Sequence, residues 1–281
     1  MRLSLHNWFM LFLVLCRCLG VPDSFGNAPV DFNRPAEAED SLQILFNKLN
    51  SSSDASERVI INDKIAGLFK NILEQNEYFD HPFDSLTSLG RIYSTDNRLR
   101  IFTWNYSDSP AENRYFGFLQ FRENAEADIA VYFLDHKEAK KNHENQVYHP
   151  ENWYGALYYQ VHDVHYAGNT YYTLIGFDFN NIFTNIKVID ILSFVEGKPV
   201  FGSPVFHFKG EIKNRMIFEY SSKVVMFLRY IPEVDMIIYD HLSPGSPNLQ
   251  EHYRYYGPDL SYDGLRFEKG KWLHFSDINW K

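Results

Sequence analysis

The residues that decide the fold are Ala156-Leu157-Tyr158-Tyr159-Gln160-Val161-His162-Asp163-Val164-His165-Tyr166-Ala167-Gly168-Asn169-Thr170-Tyr171-Tyr172-Thr173-Leu174-Ile175-Gly176-Phe177. Two runs rich in β-branched and aromatic residues flank Ala167-Gly168-Asn169, whose chemistry suits a tight turn. Strands over 156–163 and 170–177 follow. They must pair as a hairpin, because a parallel crossover needs a dozen or more residues.

The pattern recurs outward from this hairpin. Strands are predicted over 90–94, 98–105, 115–122, 129–134, 187–194, 204–208, 216–220, 224–230, 236–240, 265–268 and 272–276. Thr95-Asp96-Asn97, Glu196-Gly197-Lys198 and Lys269-Gly270 supply turns. The segment 135–152 is polar, rich in His and Lys, and reads as a long loop. The fold class is therefore mainly β, an antiparallel meander over residues 80–281. In Val224-Val225-Met226-Phe227-Leu228 and Ile189-Asp190-Ile191-Leu192, apolar residues fall on both faces, where a one-sided sheet would alternate. Both faces need cover, from a sandwich, a barrel-like or propeller-like sheet, or helices. No repeat of about forty residues with matching motifs marks propeller blades.

Ahead of the strands, residues 27–79 read as a helical segment. Leu42, Leu45, Phe46 and Leu49 share one face; Ile61, Ile65, Leu68 and Ile72 repeat at steps of three and four. Asn50-Ser51-Ser52-Ser53-Asp54 breaks the pattern, with Ser53 or Asp54 as an N-cap and Glu57 in the first turn. The expectation is a helical hairpin that docks on the sheet.

Residues 1–20 read as a secretory signal peptide: Arg2, then the apolar run 8–15, then small residues. Cleavage fits after Gly20, or as late as Gly26. The run is shorter than the roughly 20 apolar residues that span a bilayer. Cys16 and Cys18, the chain's two cysteines, lie inside it. A lipid anchor on either stays open, although Leu15 and Arg17, which precede them, are not the small residues usual there. Loss of Arg2 and Arg17 leaves 25 basic against 36 acidic residues, a balance of −11. That charge suits neither nucleic acid nor an anionic membrane, and no transmembrane span is expected in the mature chain. A mature chain without cysteine has no thiol nucleophile, CxxC redox pair or thiolate metal site.

Several stretches resemble a family of uncharacterised exported proteins of Bacteroidota, of unknown function. They are His81-Pro82-Phe83-Asp84-Ser85-Leu86, Gly90-Arg91-Ile92-Tyr93-Ser94-Thr95-Asp96-Asn97, Arg100-Ile101-Phe102-Thr103-Trp104-Asn105, Tyr115-Phe116-Gly117-Phe118, Asn152-Trp153-Tyr154-Gly155-Ala156-Leu157-Tyr158-Tyr159, Tyr171-Tyr172-Thr173-Leu174-Ile175-Gly176 and Tyr255-Tyr256-Gly257-Pro258-Asp259-Leu260-Ser261-Tyr262-Asp263-Gly264. The resemblance implies a Gram-negative envelope setting, periplasmic or outer-membrane associated, and brings no catalytic residues.

The chain has no Walker loop, no GxGxxG after a strand, no HExxH and no GxSxG. His162 sits at the end of a predicted strand and His165 three residues on; on a strand such positions point to opposite faces, so the two cannot chelate together unless the strand ends between them. His136, His143 and His149 read as exposed loop histidines, and no metal or other cofactor is expected. Asp178, Asn180 and Asn181 form one polar loop; Asp259 and Asp263 lie around a predicted turn at Tyr256-Gly257-Pro258. Paired carboxylates could hydrolyse glycosides if brought within about 5–10 Å. Oxygen-rich loops could hold calcium, although EF-hand spacing is missing. Turn formation is the plainer role. With 19 Tyr, 24 Phe and 5 Trp the chain is rich in rings, and exposed ones at Trp153, Tyr154, Tyr255 and Tyr256 are candidate contacts for a protein partner or glycan. The expectation is an exported envelope protein without catalytic activity that binds such a partner. The alternatives are a polysaccharide- or peptidoglycan-acting hydrolase and an accessory component of a secretion or surface-assembly machine.

Overall fold

Four two-residue turns share one chemistry. Ala167-Gly168, Glu196-Gly197, Lys209-Gly210 and Lys269-Gly270 all have positive φ at both positions. That is the type I′ geometry, whose twist matches that of the strands it joins, and glycine takes the second position at no steric cost. The computed structural model describes residues 35–109, 112–136 and 143–280. The leader with Cys16 and Cys18, both cleavage sites, residues 27–34 of the helical segment and 137–142 of the polar loop lie outside the described residues.

Helix α1 (Pro35–Ser51) and helix α2 (Ala55–Leu73) are linked by three residues. Asp54 caps α2, its carboxylate accepting the Glu57 N–H at 2.9 Å. Sheet 1 is a meander of β1 (Gly90–Tyr93), β2 (Leu99–Ser109), β3 (Glu112–Phe121) and β4 (Ala130–Asp135). Sheet 2 begins with β5 (Leu157–Tyr166), β6 (Asn169–Asp178) and β7 (Thr184–Val195), and β8 (Lys198–Phe201) folds back on the end of β7. The chain then crosses to sheet 3 with β9 (Phe206–Phe208) and β10 (Glu211–Lys213). It returns to sheet 2 as β11 (Met216–Ser221), beside β7. Sheet 3 is completed by β12 (Leu228–Ile231), β13 (Met236–Pro244), β14 (Tyr256–Glu268) and β15 (Lys271–Phe275).

The fold is mainly β, as expected, and all pairings between these strands but one are antiparallel. The exception is β9 beside β15, which run parallel because β9 arrives by crossover rather than by hairpin. Two further differences concern sheet 3. Lys209-Gly210 closes a hairpin to β10 that lies outside the predicted strands. Tyr256-Gly257-Pro258 is strand, paired with Pro244, Ser243 and Leu242, and not a turn. Pro258 is tolerated there because the ladder is already interrupted by the register shift between Asp240 and Leu242.

Layering explains the two-sided apolar strands. On β2, Leu99 and Ile101 face sheet 2, whereas Phe102, Trp104 and Tyr106 face the helices. On β7, Val188 and Leu192 face sheet 1, and Ile189 and Ile191 face sheet 3. The order is helical hairpin, sheet 1, sheet 2, sheet 3, and no sheet closes into a barrel. Phe69 anchors the hairpin, meeting Phe83, Phe102 and Phe118 edge-on at 5.3, 5.1 and 5.7 Å. No helix among the described residues is long and apolar enough to cross a membrane.

Candidate functional site

Sheets 2 and 3 pack face to face through their cores, but along one seam they are stitched by side chains. Tyr158 pairs with Gly176 and Gln160 with Ile175, which leaves Tyr159 as the extra residue of a β-bulge. The bulge re-aims side chains: Tyr158 points in toward Trp153 and Asp190, while the Tyr159 hydroxyl donates to the Leu228 carbonyl at 2.9 Å. Gln160 then grips Tyr230 at both ends. Its Nε2 donates to the Tyr230 carbonyl at 3.0 Å and its Oε1 accepts the Tyr230 N–H at 2.9 Å. Because β12 ends sheet 3, these bonds occupy backbone groups an edge strand would leave open.

A cleft of about 750 Å³ opens at this seam, within the range of small-molecule sites. One wall carries Tyr159 and Lys187 of sheet 2. Lys187 Nζ donates to the Tyr159 hydroxyl at 3.2 Å and lies 4.3 Å from that ring's centroid. The opposite wall carries Phe227, Arg229, Asp240, Tyr262 and Trp280. Trp280 stacks on Phe227 at 5.7 Å and meets Tyr262 edge-on at 5.8 Å. Asp240 accepts the Phe227 N–H at 2.6 Å. Burial, and then the charge of Arg229, lowers the Lys187 pKa to about 8. Burial pushes the Tyr159 phenol up, so that it stays neutral.

None of the candidate site residues named from the sequence lines this cleft. Trp153 and Tyr154 are corrected from exposed contacts to interior packing, with 0% and 5% exposure. They wall in a buried ion pair between Asp190 and Arg215. His136 and His143 are corrected likewise: both are half-buried, and burial lowers their pKa. Asn180 and Asn181 donate to the Thr184 hydroxyl at 2.7 and 2.9 Å, and Thr184 donates to Glu219 at 2.7 Å. Asp178 accepts the Tyr115 hydroxyl at 2.8 Å and the Asn180 N–H at 2.7 Å, and burial raises its carboxyl. These bonds close a turn.

The loop at 178–184 does meet the one bearing Tyr255 and Tyr256. The Arg254 guanidinium lies 4.5 Å from the Phe183 ring and 5.1 Å from that of Tyr255. Tyr255 is 47% exposed, while Tyr256 is half-buried against Tyr253. Asp263 is buried between His241 Nδ1 at 2.9 Å and His274 Nε2 at 3.3 Å. Burial opposes its charge, but the bonds from His241, the Asp277 N–H and His274 hold the carboxyl below its ordinary value. Asp259 is exposed and bonds Ser261. Asp178 and Asp263 thus belong to separate networks on different sheets. Among the described residues, no group of three or more His, Cys, Asp or Glu is placed to hold a metal ion.

The cleft residues carried a weak sequence signal. Lys187 interrupts the apolar run Ile186-Lys187-Val188-Ile189, and a bulge at Tyr159 has no composition of its own. No family model matches the chain, and neither a curated protein nor a solved structure does.

Proposed function

We propose that the chain is an exported, non-catalytic binding protein of the cell envelope, and that it takes a glycan in the cleft between sheets 2 and 3. One observation carries the reading: four aromatic rings, Tyr159, Phe227, Tyr262 and Trp280, share the cleft with the hydrogen-bonding side chains of Gln160, Lys187, Arg229 and Asp240. Rings supply flat apolar area for sugar faces, and polar tips beside them take hydroxyls. Asp240 is the one carboxylate among the described lining residues, and its Oδ2 already accepts a backbone N–H. Hydrolysis by paired carboxylates needs a second at about 5–10 Å, so binding without cleavage is the better-supported role. The envelope setting rests on the leader-like residues 1–20 and on the resemblance of residues 81–264 to exported proteins.

The test is a glycan array followed by calorimetry on the full chain. Trp280→Ala should weaken the best ligand about tenfold, near the value of one good aromatic contact. Its melting temperature, read alongside, separates lost contact from lost folding. Unchanged affinity in Trp280→Ala and in Tyr159→Phe/Tyr262→Ala would remove the site from the proposal.

A further inference from the structure

Lys187 and Arg229 both line the cleft, and neither takes part in an ion pair among the described residues. Elsewhere in the fold cations are neutralised: Arg215 by Asp190 at 2.8 Å and Lys213 by Glu144 at 2.7 Å. Asp240, on the same cleft, directs its Oδ2 to the Phe227 N–H. The chain as a whole carries −9. With acids in excess, the ordinary fate of a half-buried lysine is a carboxylate partner, since an uncompensated charge is expensive to desolvate. Lys187 instead rests on the Tyr159 ring and hydroxyl, with a second ring, Phe177, 5.3 Å away. The described lining of the cleft therefore carries two cations against the one carboxylate of Asp240, and an anion entering between the cations would relieve their repulsion.

We infer that the ligand is an acidic glycan, whose carboxylate or sulfate sits between Lys187 and Arg229 while its sugar ring lies against the aromatic wall. This rests on the glycan reading above and narrows it to one class. Lys187 supplies a point charge with three donors, and Arg229 a planar fork suited to a two-oxygen anion. The other charged or titratable groups lining the cleft are Tyr159, Arg229, Asp240 and Tyr262, of which Tyr159 touches Lys187. Burial keeps the Tyr159 phenol neutral across neutral and mildly basic pH. Affinity for the anion then falls as pH rises through about 8, where Lys187 loses its proton.

Two matched pairs test this on the full chain by calorimetry at pH 7: trigalacturonate with its methyl ester, and 6-sulfo-N-acetyllactosamine with N-acetyllactosamine. At least one acidic member should bind tenfold or more tighter than its neutral twin, and which one does so identifies carboxylate or sulfate. The preference should vanish in Lys187→Met/Arg229→Met, which removes charges and should fold at least as stably. Lys187→Arg should keep it at pH 9, where the parent chain loses it. In parallel, inorganic sulfate should raise the Lys187 pKa in side-chain NMR. Neutral and acidic twins bound equally would overturn the acidic preference and leave the glycan reading intact. A sulfate response from Lys187 with no glycan bound would keep the anion site and end the glycan reading. No glycan bound and no sulfate response would end both.

Discussion

Arg215 Nε stands 2.8 Å from Asp190 Oδ2, and neither side chain has any solvent contact. Asp190 is on β7 with its side chain toward sheet 1, and Arg215 immediately precedes β11. The guanidinium also donates to the His143 carbonyl at 2.8 Å and lies 4.7 and 5.4 Å from the Tyr148 and Tyr154 rings. One buried pair therefore ties the crossover strand to the 143–154 segment. Burial raises the Asp190 carboxyl against the pull of Arg215. Burial also opposes the charge on Arg215, but Asp190 outweighs it and keeps the guanidinium protonated.

Breaking such a pair from one side leaves a charge without compensation. Arg215→Met should destabilise the fold by about 3–5 kcal/mol, whereas Arg215→Met/Asp190→Leu should lose less. Urea denaturation of the two variants decides it. A double variant weaker than the single one would mean that the pair is not the main role of Arg215.

Glu39 gives a pH signature to the helical hairpin. Its Oε2 is 2.6 Å from His81 Nε2, and its Oε1 accepts the Ser85 N–H and hydroxyl, both at 2.6 Å. Burial works against the carboxylate, but the Ser85 and His81 bonds prevail and the pKa lies below its ordinary value. A folded pKa below the unfolded one contributes stability above the unfolded value, and that stability is lost as pH falls through the folded one. Glu39→Gln should therefore be less stable than the parent at pH 7 and should lose less on acidification from about pH 5 downward. Urea midpoints across that range test the slope.

What the sequence made legible follows from the range of each signal. Asp54 as N-cap, the Ile61-Ile65-Ile72 face and the Ala167-Gly168 hairpin are local, and each needs only a few neighbours to declare itself. The same X-Gly signal stood at Lys209-Gly210, but strands of three residues are too short to show alternation. Tyr256-Gly257-Pro258 has turn composition and sits in a strand, because pairing with β13 overrides local preference. The cleft was hidden for a different reason. Its walls come from β5, β7, β12 and the residues before it, β13, β14 and the C-terminal segment at Trp280, and one of them depends on a bulge. Nothing in the spacing of Tyr159, Lys187 and Trp280 foretells their meeting. Aromatic richness was readable; which rings were core, as with Trp153, was not.

Gly117 is a packing requirement of sheet 1. A Cβ there would lie 2.5 Å from the Phe102 carbonyl oxygen and 3.3 Å from the Leu134 side chain. The nearer atom is backbone in the middle of β2, so it cannot swing aside. Gly117→Ala should cost about 1–3 kcal/mol by overpacking, visible as a lowered thermal midpoint. At Gly168 an added Cβ would meet nothing within 4 Å, so strain there would come from φ alone.

Gln160 tests whether the seam beside the cleft depends on side chains. Its amide holds both backbone groups of Tyr230 at 2.9–3.0 Å, and Tyr159 holds the Leu228 carbonyl two residues away. The alternating spacing shows that these groups point away from β13, the other neighbour of β12. Gln160→Leu keeps the bulk and removes both partners at once. An unpaired buried donor or acceptor costs about 1–3 kcal/mol, so the outer strand should loosen locally before the whole fold does. Hydrogen exchange should accelerate at the Tyr230 amide and stay slow at Ile237, whose N–H faces β14 rather than β12. Equal acceleration at both would mean that β12 and β13 open as one unit and that the stitch does not govern the edge.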